Sequence, residues 1–251
     1  NIWLTNRKDD EWERADRLFR MGENPGENVI MGSSADGKKV YLLNTMYLED
    51  QDAFNSQPKY VEKIEKKKWS KLQDMLIPAF AIGERYAHIH INQAEDVLLV
   101  SISESPENEN EDLFVSLKSE NGSWTELQNL GPIINTNRSE LTPFLAKDKK
   151  TLFFSSEGHG SKGGTDVFVA YRLDDSWKLW TTPQNLGDSI NSEFYDENFV
   201  MLNDSLYYFT SNKSTELADI YAVKADGKFG IRRAKGLAMA IDQGVSLDIA
   251  V

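Results

Sequence analysis

The stretch Trp124-Thr-Glu-Leu-Gln-Asn-Leu-Gly-Pro-Ile-Ile-Asn135 returns almost unchanged as Trp180-Thr-Thr-Pro-Gln-Asn-Leu-Gly-Asp-Ser-Ile-Asn191. Trp12 and Trp69 continue the series toward the N-terminus, and the four tryptophan numbers differ by 57, 55 and 56 in turn. A recurring phrase with a period of this length is the sequence signature of a repeat protein. The period therefore indicates the fold more strongly than any other feature of the chain.

Each repeat contains short apolar runs that end in turn residues. In one repeat, Leu141-Thr-Pro-Phe-Leu-Ala146 and Thr151-Leu-Phe-Phe-Ser155 flank the turn Lys147-Asp-Lys149, and Asp166-Val-Phe-Val-Ala170 follows. Runs rich in β-branched and aromatic residues with turn residues at both ends predict strands. The tryptophan phrase follows them as a more polar outer strand. Each repeat is thus predicted to be a four-stranded antiparallel sheet.

Such repeats predict an all-β fold, a β-propeller of four-stranded antiparallel blades, with five blades of which the first is incomplete at the N-terminus. A β-sandwich is the architectural alternative, but a sandwich does not require one phrase to recur. We expect the third-strand aromatic residues and the fourth-strand tryptophans to pack between neighbouring blades. The predicted propeller covers residues 1–224, with repeats at about 1–16, 28–74, 86–128, 140–184 and 196–224.

The last 27 residues, 225–251, end in Gly244-Val-Ser-Leu-Asp-Ile-Ala-Val251, where apolar residues alternate with small or polar ones. This alternation is typical of a half-buried strand. Two interpretations remain open from the sequence. The tail is either the closing strand of the propeller, beside Asn1, or the start of a following domain.

Composition excludes several classes of partner. The formal net charge is −12, which disfavours nucleic acid and anionic membranes because both require a basic surface. The chain has no cysteine, so disulfides and thiolate metal sites are excluded. No apolar run approaches the roughly 20 residues of a membrane helix, and no signal peptide is recognisable. Because the sequence begins with Asn1 inside a repeat, we expect it to be part of a longer protein.

The repeat resembles the TolB-like, WD-like β-propeller repeat of bacterial cell-envelope proteins. The residues that carry the resemblance are Leu141 to Ser156, Gly163-Gly-Thr-Asp-Val-Phe-Val-Ala170 and the phrase from Trp180 to Asn191. It is most similar to the propeller module often joined to an OmpA-like domain. The second repeat departs from the pattern, because Met75-Leu-Ile-Pro-Ala79 stands in place of the Leu-Gly phrase.

The resemblance implies a non-catalytic binding or scaffold module of an outer-membrane-associated or periplasmic protein. Its partner would be an envelope protein or a component of a secretion or outer-membrane complex, with peptidoglycan bound through another domain. The surface expected to dock that partner is an acidic loop face. Its residues are Glu49, Asp50, Asp52, Glu104, Glu107, Glu109 and Glu111. Solvated loops without any partner are the plainer interpretation of the same residues.

A second set of polar residues is predicted to line the mouth of the propeller channel. The candidate binding residues are Glu84, Arg85, His88, His90, Asn135, Glu140, Asn191, Asp196 and Glu197. His88 and His90 are two residues apart in a strand and therefore share a face. Asn135 and Asn191 recur in the repeat, and their alternative role is structural, since asparagine is a turn residue that bonds nearby backbone. His159, at the tip of a glycine-rich loop, is expected to be exposed.

The sequence predicts no enzyme, because it contains neither a G-x-S-x-G nucleophile motif nor a cysteine nucleophile. No cofactor and no metal site are expected either. The alternative is a carbohydrate-active propeller, glycosidase-like or sialidase-like, that uses paired carboxylates at the channel mouth. Glu84-Arg85-Tyr86, Glu193 and Asp196-Glu197 are the plausible sources of those groups.

Overall fold

The computed structural model describes most of the repeat region and short pieces at both ends. The described residues are 3–4, 7–8, 11–12, 14, 16–17, 26–50, 53–65, 68–78, 80, 87–103, 110–203, 206–213, 217–224, 233–234, 237–238 and 248–250. Throughout these ranges the ordered elements are β-strands, and no helix is present. It follows that no described helix is long and apolar enough to cross a membrane.

The first described strands are four short segments that pair only among themselves. They are β1 (Trp3–Leu4), β2 (Arg7–Lys8), β3 (Glu11–Trp12) and β4 (Asp16–Arg17). β1 pairs with β4 and β2 pairs with β3, both antiparallel. The described part of residues 1–16 therefore contributes no strand to a four-stranded sheet.

Blade 1, residues 27–74, is the most elaborate sheet. Its strands are β5 (Glu27–Ser33), β6 (Lys39–Leu48), β7 (Ala53–Glu65), β8 (Lys68–Trp69) and β9 (Gln73–Asp74). β5, β6 and β7 are neighbours in that order, and both β8 and β9 pair with β7. The outer strand of this blade is thus split into two short segments.

Blades 2 and 3, residues 88–129 and 140–185, share one strand order from first to fourth. Blade 2 consists of β10 (His88–Ile91), β11 (Val97–Ser103), β12 (Glu111–Leu117) and β13 (Gln128–Asn129). Blade 3 consists of β14 (Glu140–Leu145), β15 (Thr151–Ser156), β16 (Asp166–Tyr171) and β17 (Gln184–Asn185). All six residues of β15 are buried, which is expected for a strand covered on both faces.

Blade 4 obtains its fourth strand from the C-terminal tail. Its first three strands are β18 (Asp196–Asn203), β19 (Leu206–Ser211) and β20 (Asp219–Lys224). Two short strands, β21 (Arg233–Ala234) and β22 (Leu237–Ala238), then pair with each other. β23 (Asp248–Ala250) returns to pair antiparallel with β20.

The all-β class and the β-propeller arrangement of four-stranded antiparallel blades are confirmed, with four blades among the described residues where the sequence predicted five. The difference arises at the termini, where β1 to β4 form two isolated pairs and β23 completes blade 4. By its internal contacts the chain divides into two units, Asn1–Leu98 with Ser116–Leu127 and Leu99–Val115 with Gln128–Val251. The domain boundaries drawn from the sequence stay a prediction.

Three of the four repeated tryptophans occupy equivalent places, whereas Trp12 pairs with Arg7 in one of the isolated strand pairs. Each of the three pairs antiparallel with a basic residue in, or directly after, the third strand of its own blade. The pairs are Lys63 with Trp69, Lys118 with Trp124, and Arg172 with Trp180. In the first two, the lysine Nζ lies 5.9 and 5.7 Å from the centre of the tryptophan ring, within the range of a cation–π contact.

The repeated Gln-Asn-Leu-Gly-x-x-Ile-Asn phrase is explained by a hydrogen-bond network inside each blade. In blade 3, the Asn191 amide accepts a hydrogen bond from Val167 N at 2.8 Å and donates one to Val167 O at 2.9 Å. Asn185 Oδ1 accepts hydrogen bonds from Asn191 and from Gly187 N, and Asn185 Nδ2 donates to Asp166. In blade 2, Asn135, Leu113, Asn129, Gly131 and Asp112 make the same set of bonds.

Replacing Asn191 with alanine should destabilise the protein. The substitution leaves the N–H and C=O of the buried residue Val167 without their partners, and each unsatisfied buried group costs about 1–3 kcal/mol. Urea unfolding of Asn191→Ala should therefore show a clearly lower midpoint. Asn137→Ala is the control, because Asn137 is exposed on the preceding equivalent loop; equal midpoints for the two variants would contradict the structural role of Asn191.

Aromatic rings hold blades 3 and 4 together. The rings of Phe153 and Phe199 lie 4.8 Å apart, and Phe199 stacks on Tyr207 at 5.6 Å. The third-strand aromatic Tyr221 packs against this cluster, as the repeat predicts. Among the described members of the cluster, however, there is no tryptophan. Trp180 instead packs on Trp177 and donates a hydrogen bond to its carbonyl oxygen at 2.9 Å.

Candidate functional site

The candidate site is built from two loops of the second unit. One loop, residues 157–165, joins the second and third strands of blade 3. The other, residues 192–195, leads into the first strand of blade 4. They are tied together by hydrogen bonds from Asp196 N to Thr165 O at 2.9 Å and from Gly164 N to Phe194 O at 3.1 Å. Three acidic residues, Glu157, Asp196 and Glu197, belong to or border these loops and are called the carboxyl cluster below.

Glu197 is the partly accessible member of the cluster that carries a perturbed pKa. It is the second residue of β18, and its Oε1 accepts a hydrogen bond from Thr165 Oγ1 at 3.1 Å. Burial raises the pKa of Glu197 above its ordinary value, and the nearby Asp196 and Glu157 raise it further, while the Thr165 hydrogen bond opposes the shift. Glu197 is therefore protonated over a wider pH range than an ordinary glutamate.

Asp196 and its equivalent Glu140 are fully buried and lock the turns that precede the inner strands. Glu140 accepts hydrogen bonds from Thr136 N and Thr136 Oγ1, both at 2.8 Å, and one from Ser156 Oγ at 2.8 Å. Asp196 accepts the corresponding bonds from Ser192 N at 2.6 Å and Ser192 Oγ at 2.8 Å. Burial raises the pKa of Glu140, and the hydrogen bonds it accepts act against that rise. Both groups hold the loops in shape.

Glu157 is a site residue that the sequence analysis missed. It is exposed at the start of the blade 3 loop, and its backbone N–H donates to Ser139 O at 3.1 Å. Its carboxylate is close enough to raise the pKa of Glu197. No repeated phrase contains it, so only the folding of loop 157–165 against loop 192–195 brings it to the cluster.

His159 differs from the sequence-based expectation of an exposed loop tip. Its side chain is 12% exposed, and its Nε2 donates to Ile134 O at 2.8 Å. The ring packs edge-on against Phe154 at 5.7 Å. Burial lowers the pKa of His159, and the bond to Ile134 partly offsets that effect. His159 has a φ of 53°, and its ring packs between Phe154 and Phe168.

Four of the predicted site residues belong to two equivalent hydrogen-bond networks: Asn135 with Glu140, and Asn191 with Asp196. Glu197 lies beside the second network. His88 and His90 share a partly buried face of β10, opposite Ile89 and Ile91, as predicted. Burial lowers the pKa of His88. Glu84 and Arg85 lie outside the described residues. In the described ranges, no group of three or more histidine and acidic side chains is arranged to hold a metal ion.

The acidic loop face is only partly described. Glu49 and Asp50 are exposed in the turn that follows β6, and Glu111 begins β12. Asp52, Glu104, Glu107 and Glu109 lie outside the described residues. The acidic loop face therefore stays a prediction.

The raised pKa of Glu197 predicts how stability depends on pH. Such a carboxyl group has a higher pKa in the folded state than in the unfolded state. It contributes its full stabilisation at pH values below its unfolded-state pKa, and this contribution is lost as pH rises through its folded-state pKa. At neutral pH, Glu197→Gln should therefore melt at a higher temperature than the wild type. Below about pH 4.5, the ordinary value for glutamate, the two melting temperatures should converge. A lower melting temperature for the variant at pH 7 would contradict the shift.

No family model and no curated protein match the chain. Among solved structures, a protein of unknown function from Dyadobacter fermentans matches with a TM-score of 0.52 at 13% identity. The match covers 88% of this chain and 67% of that protein. At this identity the likeness concerns the fold alone.

Two further solved structures are glycosidases. An α-L-arabinanase from Penicillium chrysogenum, complexed with arabinobiose, matches with a TM-score of 0.48 at 14% identity over 90% of this chain and 67% of its own. The Bacteroides ovatus xyloglucan PUL GH43B matches with a TM-score of 0.46 at 15% identity over 81% of this chain. The chain spans only 44% of the length of the latter.

These comparisons correct two predictions. The sequence predicted a non-catalytic binding or scaffold module and no enzyme, but the neighbours of known chemistry are carbohydrate-active propellers. Both predictions are wrong against this finding, and the alternative of a carbohydrate-active propeller agrees with it better. The β-propeller part of the resemblance is confirmed, whereas the TolB-like family is not. With TM-scores below 0.5, neither glycosidase assigns a substrate to this chain.

Proposed function

We propose that this chain is a carbohydrate-active β-propeller that cleaves glycosidic bonds at the carboxyl cluster. The observation that carries the proposal is the state of Glu197, a half-buried carboxyl group whose pKa is raised by burial and by two neighbouring acids. Glycoside hydrolysis needs an acid that keeps its proton near neutral pH and a second carboxyl group on the other side of the scissile bond. The pKa of Glu197 is raised in the direction that the first requirement demands.

Glu157 is assigned the second role. It is the exposed acid that lies within electrostatic reach of Glu197, whereas Asp196 is fully buried and its Oδ2 accepts hydrogen bonds from Ser192 N and Ser192 Oγ. In this assignment Glu197 donates a proton to the leaving glycosidic oxygen as the carbon–oxygen bond breaks. Glu157 either takes a proton from the water that attacks the anomeric carbon, or attacks that carbon itself to form a glycosyl ester that water then hydrolyses, with Glu197 taking the proton of that water.

The test is the release of reducing sugar from a panel of oligosaccharides and aryl glycosides. The wild-type protein, Glu157→Gln and Glu126→Gln are compared at equal concentration after circular dichroism has shown that each is folded. Glu126 is an exposed acid in the loop that precedes β13, so its variant should keep full activity. Turnover that is abolished in Glu157→Gln supports the proposal, and no turnover by the wild type on any substrate contradicts it.

Three expectations from the sequence stay predictions: membership of the TolB-like family, a location at the bacterial periplasm or outer membrane, and an envelope partner. They are compatible with a carbohydrate-active propeller, because cell-wall and surface polysaccharides are present at that location. Fractionation of cells that express the full-length protein tests the location.

A further inference from the structure

Two large aromatic side chains stand exposed directly before the carboxyl cluster. Phe194 is 48% exposed and Tyr195 is 54% exposed, and the next residues in the chain are Asp196 and Glu197. We call Phe194 and Tyr195 the aromatic ledge. Contiguous exposed apolar groups rimmed by polar residues mark interaction surfaces and ligand-binding grooves.

The aromatic ledge is held in place before any ligand arrives. Phe194 O accepts a hydrogen bond from Gly164 N at 3.1 Å, and Tyr195 N donates to Asn212 Oδ1 at 3.0 Å. Gly164 provides the space, because a Cβ at that position would lie 2.7 Å from Cδ1 of the Tyr195 ring. A binding surface that is already ordered loses little conformational entropy on binding.

The repeat itself does not require these rings. The loop that leads into blade 3 is closed by the same bonds, with Thr136 in place of Ser192 and Glu140 in place of Asp196. At the positions equivalent to Phe194 and Tyr195, that loop carries Arg138 and Ser139. The strand position of Glu197 is likewise held by Leu141 in blade 3. The aromatic ledge and Glu197 are therefore two departures from the repeat that occur side by side.

The charges around the aromatic ledge select against anions. Glu193 and Glu157 are exposed, and Glu197 lies beside the ledge. Lys162 pairs with Asp188, and Lys213 lies 4.3 Å from the centre of the Tyr221 ring. An anionic ligand would meet these acidic side chains, so its binding is disfavoured.

We infer that the aromatic ledge is a subsite for a neutral oligosaccharide, whose apolar C–H face stacks on Phe194 and Tyr195 while its glycosidic bond reaches the carboxyl cluster. This inference rests on the proposed function for the placement of the bond, but the stacking does not depend on hydrolysis. It specifies the substrate class: uncharged sugar units, and not uronic acids or sulfated sugars.

The experiment measures binding in the absence of turnover. Titration calorimetry of Glu197→Gln with neutral arabino-, xylo-, cello- and galacto-hexaoses should detect at least one ligand, and hexagalacturonate should bind more than about 10-fold more weakly. Adding Tyr195→Ala or Phe194→Ala to this background should weaken binding of the neutral ligand by roughly 10-fold. Adding Leu173→Ala, which removes an exposed apolar residue in another turn, should leave the affinity unchanged.

The outcomes separate this inference from the proposed function. Turnover by the wild type together with unchanged affinity in both ledge variants overturns the inference and leaves the function standing. Binding that depends on the aromatic ledge, without any turnover by the wild type, supports the inference and contradicts the proposed function. Equal affinity for neutral and anionic hexasaccharides, or no binding of any neutral one, overturns the inference.

Discussion

Glu197→Gln should lose roughly 10²- to 10⁴-fold in the rate of oligosaccharide hydrolysis, the usual contribution of a positioned general acid. Glutamine keeps the size of the side chain and its Oε1 can still accept the Thr165 hydrogen bond, which is 3.1 Å long in the wild type. It has no proton to give to a leaving oxygen. The loss should therefore appear in the chemical step while the protein remains folded, as measured by initial rates at saturating substrate.

The leaving group distinguishes this role from a structural one. In an aryl glycoside with an acidic phenol, the phenolate leaves without being protonated. The rate of its hydrolysis should therefore fall far less in Glu197→Gln than the rate for an unactivated oligosaccharide. A loss that is equal for the two substrates would contradict the assignment of Glu197 as the proton donor. The rate of the wild type should also decline as pH rises through the raised pKa of Glu197, because the donor is then ionised.

Phe199→Ala should reduce the free energy of unfolding by about 3–5 kcal/mol, the range for truncating a buried phenylalanine. Phe199 is 4% exposed, and its ring fills the space between Phe153 of blade 3 and Tyr207 of blade 4. The substitution removes the central ring of that stack and leaves a cavity. Guanidinium chloride unfolding, followed by tryptophan fluorescence, measures the change.

Phe194→Ala is the matched control for this substitution. Phe194 is the same residue type five positions earlier, but it is 48% exposed, so its removal should change stability by less than about 0.5 kcal/mol. Similar losses in the two variants would mean that the ring stack does not hold blades 3 and 4 together.

The fold was predictable because the residues that repeat are those that each blade requires. Asn191 substitutes for a strand partner of Val167, and Gly187 adopts a φ of 80°, which favours glycine. The same phrase in blade 2 makes the same bonds. Five blades were predicted and four are present among the described residues, because a strand pattern does not reveal its partner: β23 pairs with β20.

The site was predictable only in part, because the residues that recur serve the fold and most of the proposed site residues do not recur. Glu140 and Asp196 were selected because they recur, and their recurrence reflects the turn that each one closes. Glu197 was included as the neighbour of Asp196, while Glu157 and the aromatic ledge were missed because no period contains them. Their proximity depends on loop 157–165 packing against loop 192–195, which alternation and spacing do not encode. The sequence signal that could have indicated the site is the set of residues that depart from the repeat.

The central claim is that Glu197 is held ready as a proton donor, and its titration tests that claim most directly. Carbon-13 NMR of protein labelled at the glutamate carboxyl groups gives the pKa of each resonance, and the signal that disappears in Glu197→Gln identifies the group. The structure predicts a pKa for Glu197 clearly above the ordinary value of 4.5. A pKa at or below that value would contradict the account.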